Sequence, residues 1–383
     1  MNDWSPERRA RAALTHVCES ARPELVRQLT EHGAEQVWAA VRRGHGPERW
    51  SRRAEVLNLD AALRTSDAAG VRFVIPGDRE WPTHLDVLDE VEVSGQGGQP
   101  VGLWVRGPGD LALWSADAVA LVGSRASSPY GERVATDLSI DLAGEPGGSW
   151  TIISGGAYGI DGSAHRGACA AHGRTIAVLA SGLDAPYPRG NQVLFDQLLA
   201  DHLLVSEVPC GMHPTKVGFL ARNRLIAALA QGTVVVEAAS RSGASNTASW
   251  AAGCGRVVMA VPGPVHSALS ATPHRLIRDH QAALVSDHRD VRALLERLDA
   301  TRVEPVGGQP RLFDSVDPTL MGVREVMPGR GGLPTGEIAR RAGLSIPQTL
   351  ASLAQLQQMG LVRSDQTGQW RICTPGGAPH GAT

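Results

Sequence analysis

Through the middle of the chain the apolar residues fall in short unbroken runs rather than alternating ones. Ala118–Val122, Trp150–Ile153, Thr175–Leu179, Leu203–Val205, Thr233–Val236, Val257–Val261 and Ala283–Val285 each read as a strand covered on both faces. Between most of them the apolar spacing turns helical. It predicts helices over Tyr130–Ala143, Ile160–His172, Gln192–Ala200, Val217–Ala230, Ala244–Cys254 and Pro273–His280. This alternation predicts an α/β fold with a doubly wound parallel sheet.

Different patterns flank this region. Helical spacing over Pro6–Cys18, Pro23–His32, Ala34–Arg43 and Arg53–Ala69, punctuated by Gly33 and Gly44, predicts an N-terminal helical domain over residues 1–70. Leu14, Val17, Leu25, Leu29, Val37 and Val41 are its expected core. Gly44-His45-Gly46 reads either as a turn between packed helices or as a helix-hairpin-helix loop gripping a phosphate. Val71–Ile75 and Leu103–Val105 are further strands, with a loop over Ser94–Pro100, and the core domain is expected over 71–300.

Residues 301–310 form an expected linker. Helices over Asp317–Met327, Thr335–Ala342 and Ser345–Met359 follow, then a hairpin from Leu361-Val362 to Trp370-Arg371-Ile372. Three helices and a hairpin make a winged-helix pattern over 311–374, with a disordered tail expected over 375–383. Ser345 and Gln348 pair as a capping box. The third helix contains no Lys or Arg, which favours a packing or protein-contact role, although Arg363 and Arg371 leave DNA open.

In a doubly wound sheet, ligands bind beyond the carboxyl ends of the strands. Gly123-Ser124-Arg125, Ser154-Gly155-Gly156, Ser181-Gly182, Ser206-Glu207, Glu237 with Ser242-Gly243, and Pro262-Gly263 occupy those ends. Small residues there let an anionic ligand approach the backbone, and Arg125 is a guanidinium placed to meet a phosphate. Thr151–His165 is the sharpest case: a strand empties through Gly155, Gly156 and Gly159 onto a helix N-terminus, an anion-binding geometry. The glycines match neither GxGxxG nor a P-loop.

Composition adds charge to this picture. The 383 residues carry a net charge of −2, so a uniformly basic coat is excluded. Yet between Glu207 and Asp279 the acid Glu237 faces seven cations: Lys216, Arg222, Arg224, Arg241, Arg256, Arg275 and Arg278. Lys216 is the one lysine of the chain. It lies three residues before Phe219, which is followed by Arg222-Asn223-Arg224. Cations beside an aromatic ring suit single-stranded nucleic acid, phosphates on the cations and a base on the ring.

Five scattered cysteines without a CxxC predict neither disulfides nor zinc. No long apolar run or secretory start is present, so a cytoplasmic protein without membrane insertion is expected, with no metal and no cofactor. No catalytic set stands out. Asp161 and His165 lack a third ligand, and helix capping suits Asp161 better.

Together these motifs resemble the DNA-processing protein A (DprA, also called Smf) family. The resemblance rests on Val122–Arg125, Ser154–Asp161 with Ala164-His165, and Thr175–Leu179 with Gly182-Leu183 and Tyr187-Pro188. Ser206-Glu207, Phe219 with Arg222–Arg224, Val236–Ala238, Ser242-Gly243 and Val261–Gly263 complete it. It implies a homodimeric, cytoplasmic protein with an extended Rossmann-like core. Such a protein binds and protects incoming single-stranded DNA during natural transformation and helps load the RecA recombinase, with no enzymatic turnover. By motif position Arg125, Lys216, Phe219, Arg222, Asn223 and Arg224 line the DNA groove, and Gly123, Ser124, Ser154 and Gly155 supply a phosphate pocket. The chain departs from the family pattern at Gly156, Tyr158, His274 and Arg278–Gln281. A second reading recasts Glu237 and Arg125 as the acid and arginine of a Rossmann-like nucleotide or ribose-phosphate hydrolase, though the PGGxGT motif of such enzymes is missing.

Overall fold

The structure is a computed structural model, and it describes residues 3–144, 150–240, 242–296, 317–329 and 331–373. The chain divides into two compact units, Met1–Val303 and Glu304–Thr383.

The first unit opens with five helices: α1 (Pro6–Val17), α2 (Pro23–His32), α3 (Ala34–Arg42), α4 (Glu48–Val56) and α5 (Leu59–Ala68). Leu14, Val17, Leu25, Leu29, Val37 and Val41 are buried together as the spacing predicts, and Trp50 joins them. The single helix expected over Arg53–Ala69 is two. Asn58 interrupts it, its side chain accepting the Ala61 N–H as an N-cap for α5. These helices are tied to the sheet that follows. Arg8 donates both ends of its guanidinium to Asp78 at 2.7 Å and reaches the Phe73 carbonyl, while Phe73 packs on Trp104 at 4.4 Å between ring centroids.

Strands β1 (Arg72–Val74), β2 (Glu92–Val93), β3 (Gln96–Gly97) and β4 (Leu103–Arg106) come next, then helix α6 (Leu111–Ala116). The expected loop over Ser94–Pro100 thus contains a strand. Ser94 and Gly95 both have positive φ, the requirement of a tight hairpin turn, and they fold β3 back on β2.

The regular part alternates β5 (Ala118–Val122), α7 (Pro129–Gly144), β6 (Thr151–Ser154), α8 (Ile160–Ala170), β7 (Thr175–Leu179), α9 (Gln192–Asp201), β8 (Leu203–Ser206) and α10 (Lys216–Ala228). It continues with β9 (Gly232–Val235), α11 (Gly243–Gly253), β10 (Val257–Ala260), α12 (Ala271–Arg278), β11 (Ala283–Leu284) and α13 (His288–Leu295). Every strand and helix expected here is present to within a few residues.

The sheet has nine strands in the order β1-β4-β8-β7-β6-β5-β9-β10-β11. Strands β8 to β11 in that order run parallel, and β4 and β1 extend one edge antiparallel. Successive residues of β5 feed opposite layers. Ala118, Ala120 and Val122 pack with Leu225, Trp250 and Ala251, whereas Val119 and Leu121 pack with Leu138, Leu142 and Ile160. From β5 the chain winds outward through β6, β7 and β8, then returns beside β5 as β9 and winds the other way. The carboxyl ends of β5 and β9 are therefore the switch point, where loops diverge and leave room for a ligand.

The second unit comprises α14 (Pro318–Glu325), β12 (Leu333–Pro334), α15 (Thr335–Ala342), α16 (Ile346–Gln358), β13 (Val362–Ser364) and β14 (Gln369–Ile372), with an antiparallel sheet ordered β12-β14-β13. Val323, Ile338, Leu353, Leu356 and Val362 form its core. Both arms of the Ser345–Gln348 capping box are made. Residues 301–310 and 375–383, expected as linker and tail, lie outside the described residues.

Three histidines, His165 buried and His16 and His84 half-buried, set an acid limit on this fold. Burial lowers His16 and His84 to about 4 and His165 to about 3. Above pH 6.5 they are neutral folded or unfolded and contribute no pH dependence. Below it the unfolded chain takes up protons that the folded chain refuses, so stability falls as pH drops from about 6.5 toward about 4. Each group contributes at most about 1.4 kcal/mol per pH unit. The expected outcome is a melting temperature that declines steadily between pH 7 and pH 5, with a shallower decline in a His16→Gln/His84→Gln variant. Equal slopes in the two proteins would refute the assignment.

Candidate nucleic-acid interface

The loop after β5 is fixed before it reaches solvent. A Cβ at Gly123 would stand 2.5 Å from Ile160 Cγ1 and 2.7 Å from the Glu237 carbonyl, so only glycine lets the chain turn beneath α8. The Ser124 N–H donates to the Glu237 carbonyl at 2.6 Å, and the Ile160 N–H donates back to the Ser124 carbonyl at 3.2 Å. Glu237 itself is buried. Its Oε1 and Oε2 accept from the Ser128 hydroxyl and N–H, and Gly131 lacks the Cβ that would overlap its carboxylate. Arg125 projects from this anchored loop into solvent.

Beside it, at the switch point, a cavity of about 460 Å³ opens. Its walls include Gly123, Ser124 and Arg125, Asp161 of α8, Lys216, Phe219, Arg222 and Asn223 of α10, and Ser242 and Gly243 at the start of α11. The Arg125 guanidinium carbon sits 4.8 Å from the centroid of the half-buried Phe219 ring, a cation–π contact. Tyr187 meets the same ring at 5.9 Å, tilted by 59°. Lys216 is exposed as the first residue of α10. A cation opposes the helix dipole there, so this placement costs the helix and serves something else.

Arg222 and Asp161 are buried behind the mouth. Arg222 Nη1 donates to the Gly155 and Val178 carbonyls, both at 2.7 Å, while its Nε has no partner. Burial lowers its guanidinium to about 10, so it stays charged at neutral pH. Asp161 accepts from the Gly155 N–H at 3.2 Å and from the Ala157 N–H; burial pushes its carboxyl up although Arg222 pulls the other way. Asp161 therefore organises the loop before α8, and Gly159 rather than Asp161 is the N-cap. The start of α11 is open: Ser242 makes no capping bond, its Oγ has no partner, and no acid lies in the first turn. Free N–H groups and the positive helix end thus face the cavity.

Of the residues expected from sequence, Gly123, Ser124, Arg125, Lys216, Phe219, Arg222 and Asn223 share this cavity. Three others do not reach it. Ser154 is buried and donates its hydroxyl to the Leu121 carbonyl. Gly155 is spent on Asp161 and Arg222, so of the four residues expected to form a phosphate pocket only Gly123 and Ser124 line the cavity. Arg224 is 0 % exposed and forms a two-bond ion pair with Glu207 at 2.7 Å, with Nε on the Gly98 carbonyl. It is a structural residue.

The basic interval is likewise thinned by its neighbours. Arg278 pairs with Asp279 at 3.0 Å, Arg275 reaches Gln281 and Asp279, and Arg256 serves backbone carbonyls. Arg241 lies outside the described residues. His165 is buried on Thr175 and forms no site with Asp161. Tyr187 and Ser242 were not read from sequence as site residues; Ser242 stood among the strand-end residues, and Tyr187 only among those that carry the family resemblance.

A doubly wound sheet whose switch point holds exposed cations, a half-exposed ring and an open helix N-terminus defines a Rossmann-like protein with a cationic edge. Residues 72–296 match the family described as DNA recombination-mediator protein A. The Mycobacterium tuberculosis protein that carries the DprA name is 40 % identical over 385 residues, covering 97 % of this chain and 96 % of that one. Protein Smf of Escherichia coli is 36 % identical over 311 residues, covering 79 % and 76 %. The X-ray structure of DNA processing protein A from Streptococcus pneumoniae aligns with a TM-score of 0.63 at 31 % identity, covering 77 % of this chain and 99 % of that one. The chain belongs to the DNA recombination-mediator protein A family.

Arg224 supplies a test of the inward assignment. Arg224→Ala leaves Glu207 buried without its partner, a loss of about 3–5 kcal/mol of stability. The melting temperature is expected to fall while nucleic-acid affinity of the remaining folded protein holds. A variant that melts normally but loses binding would return Arg224 to the interface.

Proposed function

We propose that this protein binds single-stranded DNA at the β5–β9 switch point and acts as a recombination mediator. The observation that carries this reading is the Arg125–Phe219 contact at the cavity rim, with Lys216 on the same rim. One phosphate meets the cations and the open end of α11, and a base rests on the ring. Family membership supports a role in DNA processing during natural transformation, with RecA recombinase as the protein partner and a homodimer as the working form. We place it in the cytoplasm; among the described residues no helix is long and apolar enough to cross a membrane. We read the second unit as a winged-helix domain.

Binding rather than catalysis is favoured by Glu237. A hydrolytic base needs a free carboxylate oxygen at the ligand, and both of these are engaged by Ser128 away from the cavity lining.

The test is a titration of single- and double-stranded oligonucleotides across a salt series. Arg125→Ala and Lys216→Ala are each expected to weaken single-strand binding for all sequences alike and to reduce the salt slope by about 0.7. Phe219→Ala is expected to cost about 1–3 kcal/mol with the slope unchanged. Undiminished affinity in all three variants rules the site out.

A further inference from the structure

Next to the cavity lies a ledge that shares Tyr187 with the site described above. It is made of the loop from Tyr187 to Asn191 set against the loop before α8. Asn191 Nδ2 donates to the Gly156 carbonyl at 3.0 Å and to the Ala157 carbonyl at 3.1 Å, joining the two loops into one surface. Gly190 leaves space for Tyr158, whose hydroxyl a Cβ at that position would overlap. Two tyrosines stand out from the surface, Tyr187 45 % exposed and Tyr158 48 % exposed. Tyr187 also touches Phe219, so the ledge starts where the cavity ends.

Cations accompany the rings. Arg189 is exposed on the same loop, and Arg166 is exposed on α8 with its Nη2 on the Ser163 hydroxyl. A Cβ at Gly162 would lie 3.2 Å from Arg166 Nη1 and 3.6 Å from Asn191 Nδ2, which places that guanidinium against the ledge. Among the described residues neither arginine is paired with a carboxylate. Asp184, the nearest acid before the loop in sequence, is engaged by the Gly211 N–H.

Exposed tyrosines alternating with unpaired arginines match a polyanion with flat faces, and continuity with the Phe219 rim selects the same strand. We propose that the ledge is a second subsite for single-stranded nucleic acid. Bases leaving the cavity stack on Tyr187 and then Tyr158, and Arg189 and Arg166 take their phosphates. The inference rests on the reading of the cavity as a single-strand site.

Length dependence separates the two. With the full chain, anisotropy titrations would use oligothymidylates of about six and about twenty nucleotides, short enough for one subsite and long enough for both. Tyr158→Ala and Arg189→Ala are each expected to weaken the longer oligonucleotide by about five- to tenfold and to leave the shorter within about twofold. Tyr158→Phe, which keeps the ring, is expected to bind as the parent does. Arg189→Ala is expected to lower the salt slope of the longer oligonucleotide by about 0.7. Equal losses on both lengths, or no loss on the longer, overturn the ledge while the cavity stands. A parent protein that binds neither length overturns both.

Discussion

One buried carboxylate holds the switch point together. Glu237 lies two residues beyond β9, its main-chain oxygen takes the Ser124 N–H, and its two side-chain oxygens take both donors of Ser128. The five-residue loop from Ser124 to Ser128 is thereby fixed from both ends, and Arg125 has few directions left to point. A buried carboxylate that keeps these hydrogen bonds costs less than one that loses a donor. The loop is therefore kept in one conformation by the cost of any other. Gly123 and Gly131 have the same origin, since each is empty where Ile160, the Glu237 backbone or its carboxylate must pass.

This anchoring explains which parts of the molecule were legible in its sequence. Strands buried on both faces print as unbroken Val, Ile and Leu runs, so the parallel sheet could be read directly, and its carboxyl ends followed from the winding rule. Lys216, Phe219 and Asn223 recur at spacings that put them on one stripe of α10, and all three line the cavity. Arg222 and Arg224 could not both belong to that stripe, because two residues along a helix turn by about 200°. Which of them turned toward the cavity depended on Glu207, seventeen residues earlier at the end of β8, and no local pattern reports that partner. Asn58 hid in the same way: helical spacing continues through it, and only its capping bond breaks the helix. The two-residue strands β2 and β3 are too short to carry a periodicity at all.

Charge follows the same logic. The basic interval looked like a continuous positive edge when counted along the chain. In space, the acids at its two ends, Glu207 and Asp279, fold back onto its arginines. What reaches the cavity is sparse: Arg125 and Lys216 at the rim, Arg222 behind them held near Asp161, and the positive end of α11. Hydrogen bonds from fixed backbone donors and a helix dipole lose less to salt than exposed side-chain cations do.

A sparse positive site bears on what kind of nucleic acid fits it. Duplex DNA presents a dense line of phosphates with its bases hidden, so affinity for it grows with the number of cations laid along the backbone. Two rim cations and one helix end supply few such contacts. A half-exposed ring at the same rim is useless to a duplex whose bases are stacked, but it gives an unpaired base a flat apolar face. On the proposed reading, selectivity for unpaired strands would come from the ring and the cavity, with the cations setting orientation. The single lysine, placed against its own helix dipole, fits that division: in the proposed site it would supply a point charge at one phosphate, not a share in a broad potential.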